Sequence, residues 1–393
     1  MNKPKIRFKG FEGEWKKVKI GDVAPLTGGF AFQSGQFKTS GIPIIRISNI
    51  LSSGIVGGDF VYYNEFKGDS EFRLYKGDVV IAMSGATTGK VATFEANDFG
   101  YQNQRVGKFS RTNLVNYELL SKLVGAPNFQ KKIISKLTSS AQPNASSKDI
   151  DSIDLVVPED TEEQRALASY FTSLDAQIAA STSRLSSLKQ IKAASLLNMF
   201  PQKGETVPRV RFKGFQGEWK KKDFSQFVNR ISCPGQAGDL PGVEYEDIVA
   251  GEGMLNKNLQ EKSCNKYGIK FKEGDVLFGK LRPYLKNILL TDFEGVAIGD
   301  FWVFRPSKCD SKFLYSLVIS NDFMKIANIS SGSKMPRADW NLISSTFISL
   351  PSLSEQRAIA SYFTALDAQI TLHRERLEKL KQIKAACLEK MFA

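Results

Sequence analysis

The chain has 393 residues, 42% of them hydrophobic with 28 Phe, and a formal net charge of +13. That is apolar material for two or three cored domains, which excludes a disordered polypeptide, and no apolar run approaches the ~18 residues of a membrane span. The basic balance favours a polyanionic partner, usually nucleic acid, and the opening "MNKPKIRFKGF" lacks the apolar stretch of a secretory signal.

The first element is an aromatic passage, "RFKGFEGEWKK" at 7–17, which returns at 211–221 with ten of eleven residues unchanged. Its rings (Phe8, Phe11, Trp15; Phe212, Phe215, Trp219) suit a buried strut better than a ligand contact. Residues 1–161 read as a first domain of mixed strand and helix. Strands are predicted over "IPIIRISNI" (42–50), "GDVVIAMSG" (77–85) and "KVATF" (90–94), followed by helical patterns around "YELLSKLV" and "FQKKIISKL".

Residues 162–200 contain neither Gly nor Pro and predict one long helix. Leu167, Phe171, Leu174, Ile178, Ser181, Leu185 and Leu188 recur along it at steps of four and three, which is a heptad seam. "PEDTEEQR" supplies the proline, capping residue and first-turn acid of its start. Residues 201–221 form a linker carrying the second aromatic passage, and 222–351 a second domain in the order of the first. Its strands are "VEYEDIVAG", "GDVLFGKL" and "GVAIGDFWVF", and one helix runs through "FLYSLVISNDFMKIA". Residues 352–393, opened by "PSLSEQR", form the second long helix, with the seam Ile359, Phe363, Leu366, Ile370, His373, Leu377 and Leu380.

The chain is thus a duplication. "EQRALASYFTSLDAQI" (163–178) matches "EQRAIASYFTALDAQI" (355–370) at fourteen of sixteen places, and "LKQIKAA" recurs unaltered at 188–194 and 380–386. The aromatic passages are offset by 204 residues, Gly77-Asp78-Val79 and Gly274-Asp275-Val276 by 197, and the helices by 192, so the second insert is 12 residues shorter. A constant frame performs one task twice, while divergent inserts recognise two different things. At about 1.5 Å per residue each helix is roughly 55–60 Å long. A single apolar stripe of that length needs a partner, and its own repeat supplies one about a pseudo-twofold axis, with Ser181 and His373 as polar register-setting positions.

Catalytic patterns are absent. The cysteines (Cys233, Cys264, Cys309, Cys387) form no C-x-x-C pair, which leads to the expectation of a reducing cytoplasm and no structural zinc. His373 is the only histidine, with no partner pattern for catalysis. "SGATTGKV" (84–91) fails as a phosphate loop, because three residues rather than four separate Gly85 from Gly89-Lys90, and Val91 stands where Ser or Thr is needed. Nor is there a metal-ligand spacing or an Asp/Asn-Pro-Pro-aromatic tetrapeptide for an extruded adenine. What remains is recognition. Arg and Lys suit guanine, Asn and Gln suit adenine, and hydroxyls and lysines suit phosphate. Candidate DNA contacts are Arg46, Ser48 and Asn49; Ser84, Thr87, Thr88 and Lys90; Gln102, Asn103, Gln104 and Arg105; and Ser140, Gln142, Asn144 and Lys148. In the second insert they are Lys280, Arg282, Tyr284 and Lys286, with Ser333, Lys334 and Arg337. Turn chemistry explains any one of these as readily; the set is more persuasive than its members.

"SGIPIIRISNI", "GDVVIAMSGATTGKVA", "GDVLFGKLRPYLK" and "LPSLSEQRAIASYF" are similar to signature segments of the specificity subunits of type I restriction–modification systems, and the resemblance covers essentially the whole chain. It implies an α+β chain with two target-recognition domains separated by an antiparallel coiled coil. Each domain would read one half of an asymmetric DNA site through the major groove, and the helices would set the unread spacer. Two methyltransferase subunits would dock, with two motor-nuclease subunits in the full complex. S-adenosylmethionine, ATP and Mg2+ would belong to those partners, and this chain would bind no cofactor or metal and catalyse nothing. A stand-alone DNA-binding regulator and a structural coiled-coil adaptor remain alternatives.

Overall fold

The computed structural model describes residues 3–137, 145–238, 240–259, 265–329 and 335–392. It divides into two compact units, residues 1–182 with 376–393, and residues 183–375.

In unit one, strands β1 (Lys16–Lys19) and β10 (Asp154–Val157) pair antiparallel, so the insert leaves and returns at one ribbon. Between them lie two four-stranded sheets. One is antiparallel throughout, in the order β2 (Leu26–Thr27), β9 (Val106–Phe109), β6 (Val79–Ala82), β7 (Val91–Thr93). The other runs β4 (Val61–Tyr63), β3 (Ile42–Ile45), β8 (Gly100–Gln102), β5 (Arg73–Leu74), with β3 and β8 parallel. Strand β6, "VVIA", is buried at every residue because it is central in its sheet. Helices α1 (Ile20–Val23), α2 (Tyr117–Gly125), α3 (Pro127–Leu137) and α4 (Ser147–Asp151) complete the unit. Asn116 caps α2 by accepting from the Leu119 N–H at 2.9 Å.

Unit two repeats the plan. The ribbon is β11 (Lys220–Asp223) with β22 (Phe347–Leu350). The antiparallel sheet is β12 (Val228–Ile231), β21 (Phe301–Pro306), β18 (Val276–Gly279), β19 (Ile288–Leu290). The mixed sheet is β13 (Pro234–Gln236), β17 (Tyr267–Phe271), β20 (Gly295–Ala297), β14 (Gly242–Val243), with β14 and β20 parallel. A hairpin of β15 (Ile248–Val249) and β16 (Met254–Leu255) and helices α6 (Ser311–Val318), α7 (Asn321–Ala327) and α8 (Trp340–Ser344) follow. The mixed sheets share three strands, β3-β8-β5 against β14-β20-β17, and differ in the fourth. Unit one adds β4 beside β3, whereas unit two adds β13 at the opposite edge, beside β17.

Four predicted elements are corrected, the first being "VEYEDIVAG", where a helical turn at Tyr245–Asp247 separates Val243 of β14 from the short β15. The strand over 42–50 ends at Ile45, and Ile47–Asn49 is a tight helical turn. Asn49 causes this: its side-chain oxygen accepts from the Arg46 N–H, and its amide donates to the carbonyls of Gly57 and Asp59. "GVAIGDFWVF" breaks into β20 and β21 at Gly299, whose φ of 93° is a left-handed corner. "FLYSLVISNDFMKIA" is two helices, because Ser320 takes extended dihedrals between α6 and α7.

The long helices are α5 (Thr161–Asn198) and α9 (Leu353–Lys390), 38 residues each. In unit one the start of α5 meets the end of α9, antiparallel: Tyr170 Oη lies 3.4 Å from Cys387 Sγ, Asp175 accepts Lys384 at 2.6 Å, and Phe171 packs on Phe392. In unit two the corresponding contacts are Tyr362–Ser195 at 2.8 Å, Asp367–Lys192 at 2.6 Å and Phe363–Phe200. Adding 192 to one partner and subtracting it from the other converts each pair into its counterpart, so the internal duplication extends to the contacts within each unit. Along the seams, Leu167, Phe171, Leu174, Ser181, Leu188, Ile359, Phe363, Leu366, Ile370 and Leu377 are buried. Ile178, Leu185, His373 and Leu380 are half-buried.

The repeated aromatic passage clamps the start of each helix. Arg7 donates two hydrogen bonds to Glu163, at 2.6 and 2.7 Å, and Trp15 Nε1 donates a third at 3.2 Å. Arg211 and Trp219 treat Glu355 in the same way, at 2.7, 2.8 and 3.3 Å. Glu163 and Glu355 are only 1% and 2% exposed. A buried carboxylate demands such partners, which explains why the passage and "EQR" are repeated together. Among the described residues, no helix is long and apolar enough to cross a membrane.

Candidate nucleic-acid interface

The sequence-predicted contacts converge on one loop cluster per unit. In unit one, the Gly85–Thr87 turn, the Ile47–Asn49 turn, the 103–105 turn and the approach to α4 are laced together. The Met83 N–H donates to the Arg105 carbonyl (2.9 Å), Asn103 to Ile45 (3.1 Å), and Ala145 to Met83 (2.8 Å), while Thr87 Oγ1 donates to the Ile47 carbonyl (3.3 Å). Unit two uses the same backbone bonds: Lys280 to Asp300 (2.9 Å), Ile298 to Val243 (2.9 Å) and Ala338 to Lys280 (2.9 Å). Tyr245 adds a bolt, donating to the Asp300 carbonyl at 2.6 Å and accepting from the Leu281 N–H at 3.1 Å. Burial pushes its hydroxyl pKa up to about 12.

These bonds define structural equivalents that the raw sequence hides. Arg105 stands where Asp300 stands, because both carbonyls accept the same strand-end N–H. Arg46 stands where Glu244 stands, because the next turn is closed by Asn49 in one unit and Asp247 in the other. One scaffold therefore carries reversed charge at two loop positions. Among the described residues, no carboxylate pairs with Arg46, Lys90, Arg105 or Lys148 in unit one. In unit two, Asp300 lies 3.0 Å from Arg337 and 3.5 Å from Lys280.

Individual candidates fare unequally. Ser48, Gln104, Arg105, Lys148, Arg282, Tyr284 and Arg337 are exposed. Arg46, Thr87, Thr88, Lys90, Asn103, Lys280 and Lys286 are half-buried. Two adenine-reading candidates are corrected: Asn49 and Gln102 are 1% and 0% exposed. Asn49 holds its own turn, and the Gln102 amide donates to the Thr27 and Val106 carbonyls at 2.8 and 2.7 Å. Ser84 is also buried, and Thr88 closes its turn by donating to the Gly85 carbonyl. Ser140, Gln142, Asn144, Ser333 and Lys334 lie outside the described residues.

Sequence reading missed Asp300, Glu244 and Tyr245. An alignment of the two inserts would have exposed the reversal, but the helical offset of 192 and the "GDV" offset of 197 both misplace position 105.

Backbone conformation singles out two further residues. Gly85 and Gly89 occupy left-handed corners of the unit-one loop, at φ of 74° and 86°. Their equivalents in unit two are Arg282 and Lys286, at φ of 50° and 51°. A non-glycine residue there costs about 1–2 kcal/mol, so these cations are held where an easier residue would fold better. Burial, with the nearby Lys192 charge, also lowers the pKa of Lys286. Strain plus a desolvated cation in a loop points to a functional position.

The loop containing Lys90 joins two antiparallel strands, β6 and β7. It opens no α-helix, only the three-residue turn Gly85–Thr87, so it lacks the α-helix N-terminus of a phosphate cradle. Among the described residues, no group of three or more His, Cys, Asp or Glu could hold a metal ion, and Cys233, Cys309 and Cys387 are unpaired.

Comparison with known proteins agrees with the duplicated architecture. The family model of the type I restriction modification DNA specificity domain matches residues 12–190 and 222–382. The type I restriction enzyme EcoBI specificity subunit of Escherichia coli is 22% identical over 416 residues, covering 94% of this chain and 84% of that protein. The EcoDI specificity subunit of the same organism is 23% identical over 290 residues, covering 64% and 65%. In fold, the chain resembles the crystal structure of a type I restriction–modification S subunit from M. genitalium, with a TM-score of 0.67, 14% identity and coverage of 100% and 99%. Two family domains, one per unit, on a repeated frame with two divergent loop clusters: the chain belongs to the type I restriction–modification specificity subunits.

Proposed function

We propose that each unit reads one half of a two-part DNA site through its loop cluster. The observation that carries this is the matched backbone lacing of the clusters beneath reversed side-chain charge, Arg105 against Asp300. A scaffold kept while its side chains change sign suits two readers of different sequences. Exposed arginines and amides read base edges, and Lys90, Lys148 and Lys286 serve the phosphates.

The finer assignments rest on family membership and internal symmetry. The antiparallel pair α5 and α9 sets the length of the unread spacer. The duplicated frame presents one surface twice, so it recruits two methyltransferase subunits, and two motor-nuclease subunits join for restriction. S-adenosylmethionine, ATP and Mg2+ are assigned to those partners; this chain selects the address and catalyses nothing. The same reading places the complex in the cytoplasm with its DNA. A stand-alone regulator or a coiled-coil adaptor would need no partner enzyme.

The test is single-molecule sequencing of genomic DNA from cells that express the cognate methyltransferase subunit with and without this chain. A two-part methylated motif that vanishes with the chain is the expected result. Identical methylomes, with the methyltransferase shown to be active, would overturn the proposal.

A further inference from the structure

We infer that Asp300 is a positioning residue for base recognition in unit two, holding Arg337 so that its free donors meet a guanine. The inference rests on the loop cluster being the DNA-reading surface and assigns a chemistry to one point on it.

Arg337 is fixed from both flanks. The Arg282 N–H donates to the Pro336 carbonyl at 2.8 Å, and the Ala338 N–H to the Lys280 carbonyl at 2.9 Å, so residues 336–338 form a short antiparallel bridge onto the 280–282 turn. One guanidinium nitrogen donates to Asp300 Oδ2 at 3.0 Å, while the side chain stays 57% exposed. The other carboxylate oxygen lies 3.5 Å from the Lys280 ammonium. Asp300 itself is anchored through its backbone by Lys280 and Tyr245. The carboxylate is therefore a post between two cations, with its own backbone immobilised.

An untethered arginine on a loop loses rotamer freedom when it binds, and that loss opposes affinity. Tethering one nitrogen removes part of it in advance and leaves a planar fork of donors at a fixed angle. Such a fork matches the O6 and N7 acceptors of guanine in the major groove, the commonest bidentate base contact. The backbone bond at this place does not call for a carboxylate, since the equivalent position in unit one holds Arg105 and its carbonyl accepts the same bond. A carboxylate on a phosphate-facing surface also weakens non-specific attraction, a disadvantage that positioning an arginine would offset.

The experiment uses the complex with its methyltransferase partner and a pool of duplexes randomised across the recognised site. Unaltered protein, Arg337→Lys and Asp300→Asn are compared for bases selected and for the salt dependence of binding. Lysine keeps the charge but cannot form the fork, so Arg337→Lys is expected to relax one G·C pair by about tenfold. Asp300→Asn is expected to relax the same pair. Both variants should keep the salt slope, and an unchanged preference at the other half-site shows that each remains folded and assembled. The proposal fails if Asp300→Asn leaves the preference intact or relaxes a different pair. It also fails if Arg337→Lys discriminates as well as the unaltered protein, because a point charge would then suffice. If the unaltered complex shows no two-part preference, the reading of the loop clusters falls, and the inference with it.

Discussion

Replacing Arg7 by methionine tests what ties each insert to its helix. Glu163 is 1% exposed and accepts three hydrogen bonds, two of them charge-assisted from Arg7. Methionine preserves most of the volume but leaves the carboxylate with the single Trp15 bond. Breaking a buried pair from one side typically costs about 3–5 kcal/mol. The position of Glu163 in the first turn of α5 offsets roughly 0.3–1 kcal/mol of that through the helix dipole, so about 3 kcal/mol is expected. Unit one has about 200 residues, for which ~1 kcal/mol shifts Tm by roughly 2–4 °C. Its transition should therefore fall by about 6–12 °C in scanning calorimetry, with that of unit two unmoved. Adding Glu163→Gln removes the stranded charge and should recover more than half of the loss, because removing both charges is far milder than removing one. Arg211→Met, with Glu355→Gln as its rescue, should do the same in unit two. A loss under ~1 kcal/mol, or a double variant as unstable as the two single effects added together, would refute the clamp.

Lys90→Ala should lower the salt slope of DNA binding by about 0.9, the signature of one lost phosphate contact; an unchanged slope with altered base preference would put Lys90 on a base edge. Lys286→Gly should relieve the left-handed strain and raise stability by about 1 kcal/mol in urea titration, while weakening DNA binding by the complex. Tighter binding would contradict the functional reading of that strained corner. Burial alone would raise the pKa of Asp175, but Lys122 and Lys384 overcome it, and the folded value lies below the usual 3.8. Its contribution to stability is thus present above the unfolded pKa and lost as the pH falls through the folded one. Asp175→Asn should flatten the stability–pH curve in that acid window, and a curve of unchanged steepness would show the pair of lysines to be idle.

Much of the architecture was legible because repetition is visible without any geometry. Two helices free of Gly and Pro, each with its own seam, sufficed to predict two long helices that pair with each other, while their antiparallel sense came from the family resemblance, and the glycine-bounded apolar runs located the inner strands. Side-chain direction was not legible. Asn49 and Gln102 looked like base readers by composition, yet each is buried and donates to two backbone carbonyls, and an amide suits either task equally. The equivalence of Arg105 and Asp300 depends on insertions that shift the local offset, so only the backbone bonds reveal it. The break at Ser320 falls in a stretch with apolar periodicity on both sides, where a single extended residue leaves no trace in the pattern.

The two residues that follow α9 bear on how unit one is completed. Met391 and Phe392 are buried in the core of unit one beside Phe171, and the Ile6 N–H donates to the Lys390 carbonyl at 3.0 Å. Unit one is therefore discontinuous, its core completed by residues some two hundred positions further along the chain, whereas unit two, residues 183–375, is continuous. A chain that lacked those residues would leave apolar surface of unit one uncovered, the kind of surface that makes partly folded species prone to aggregate.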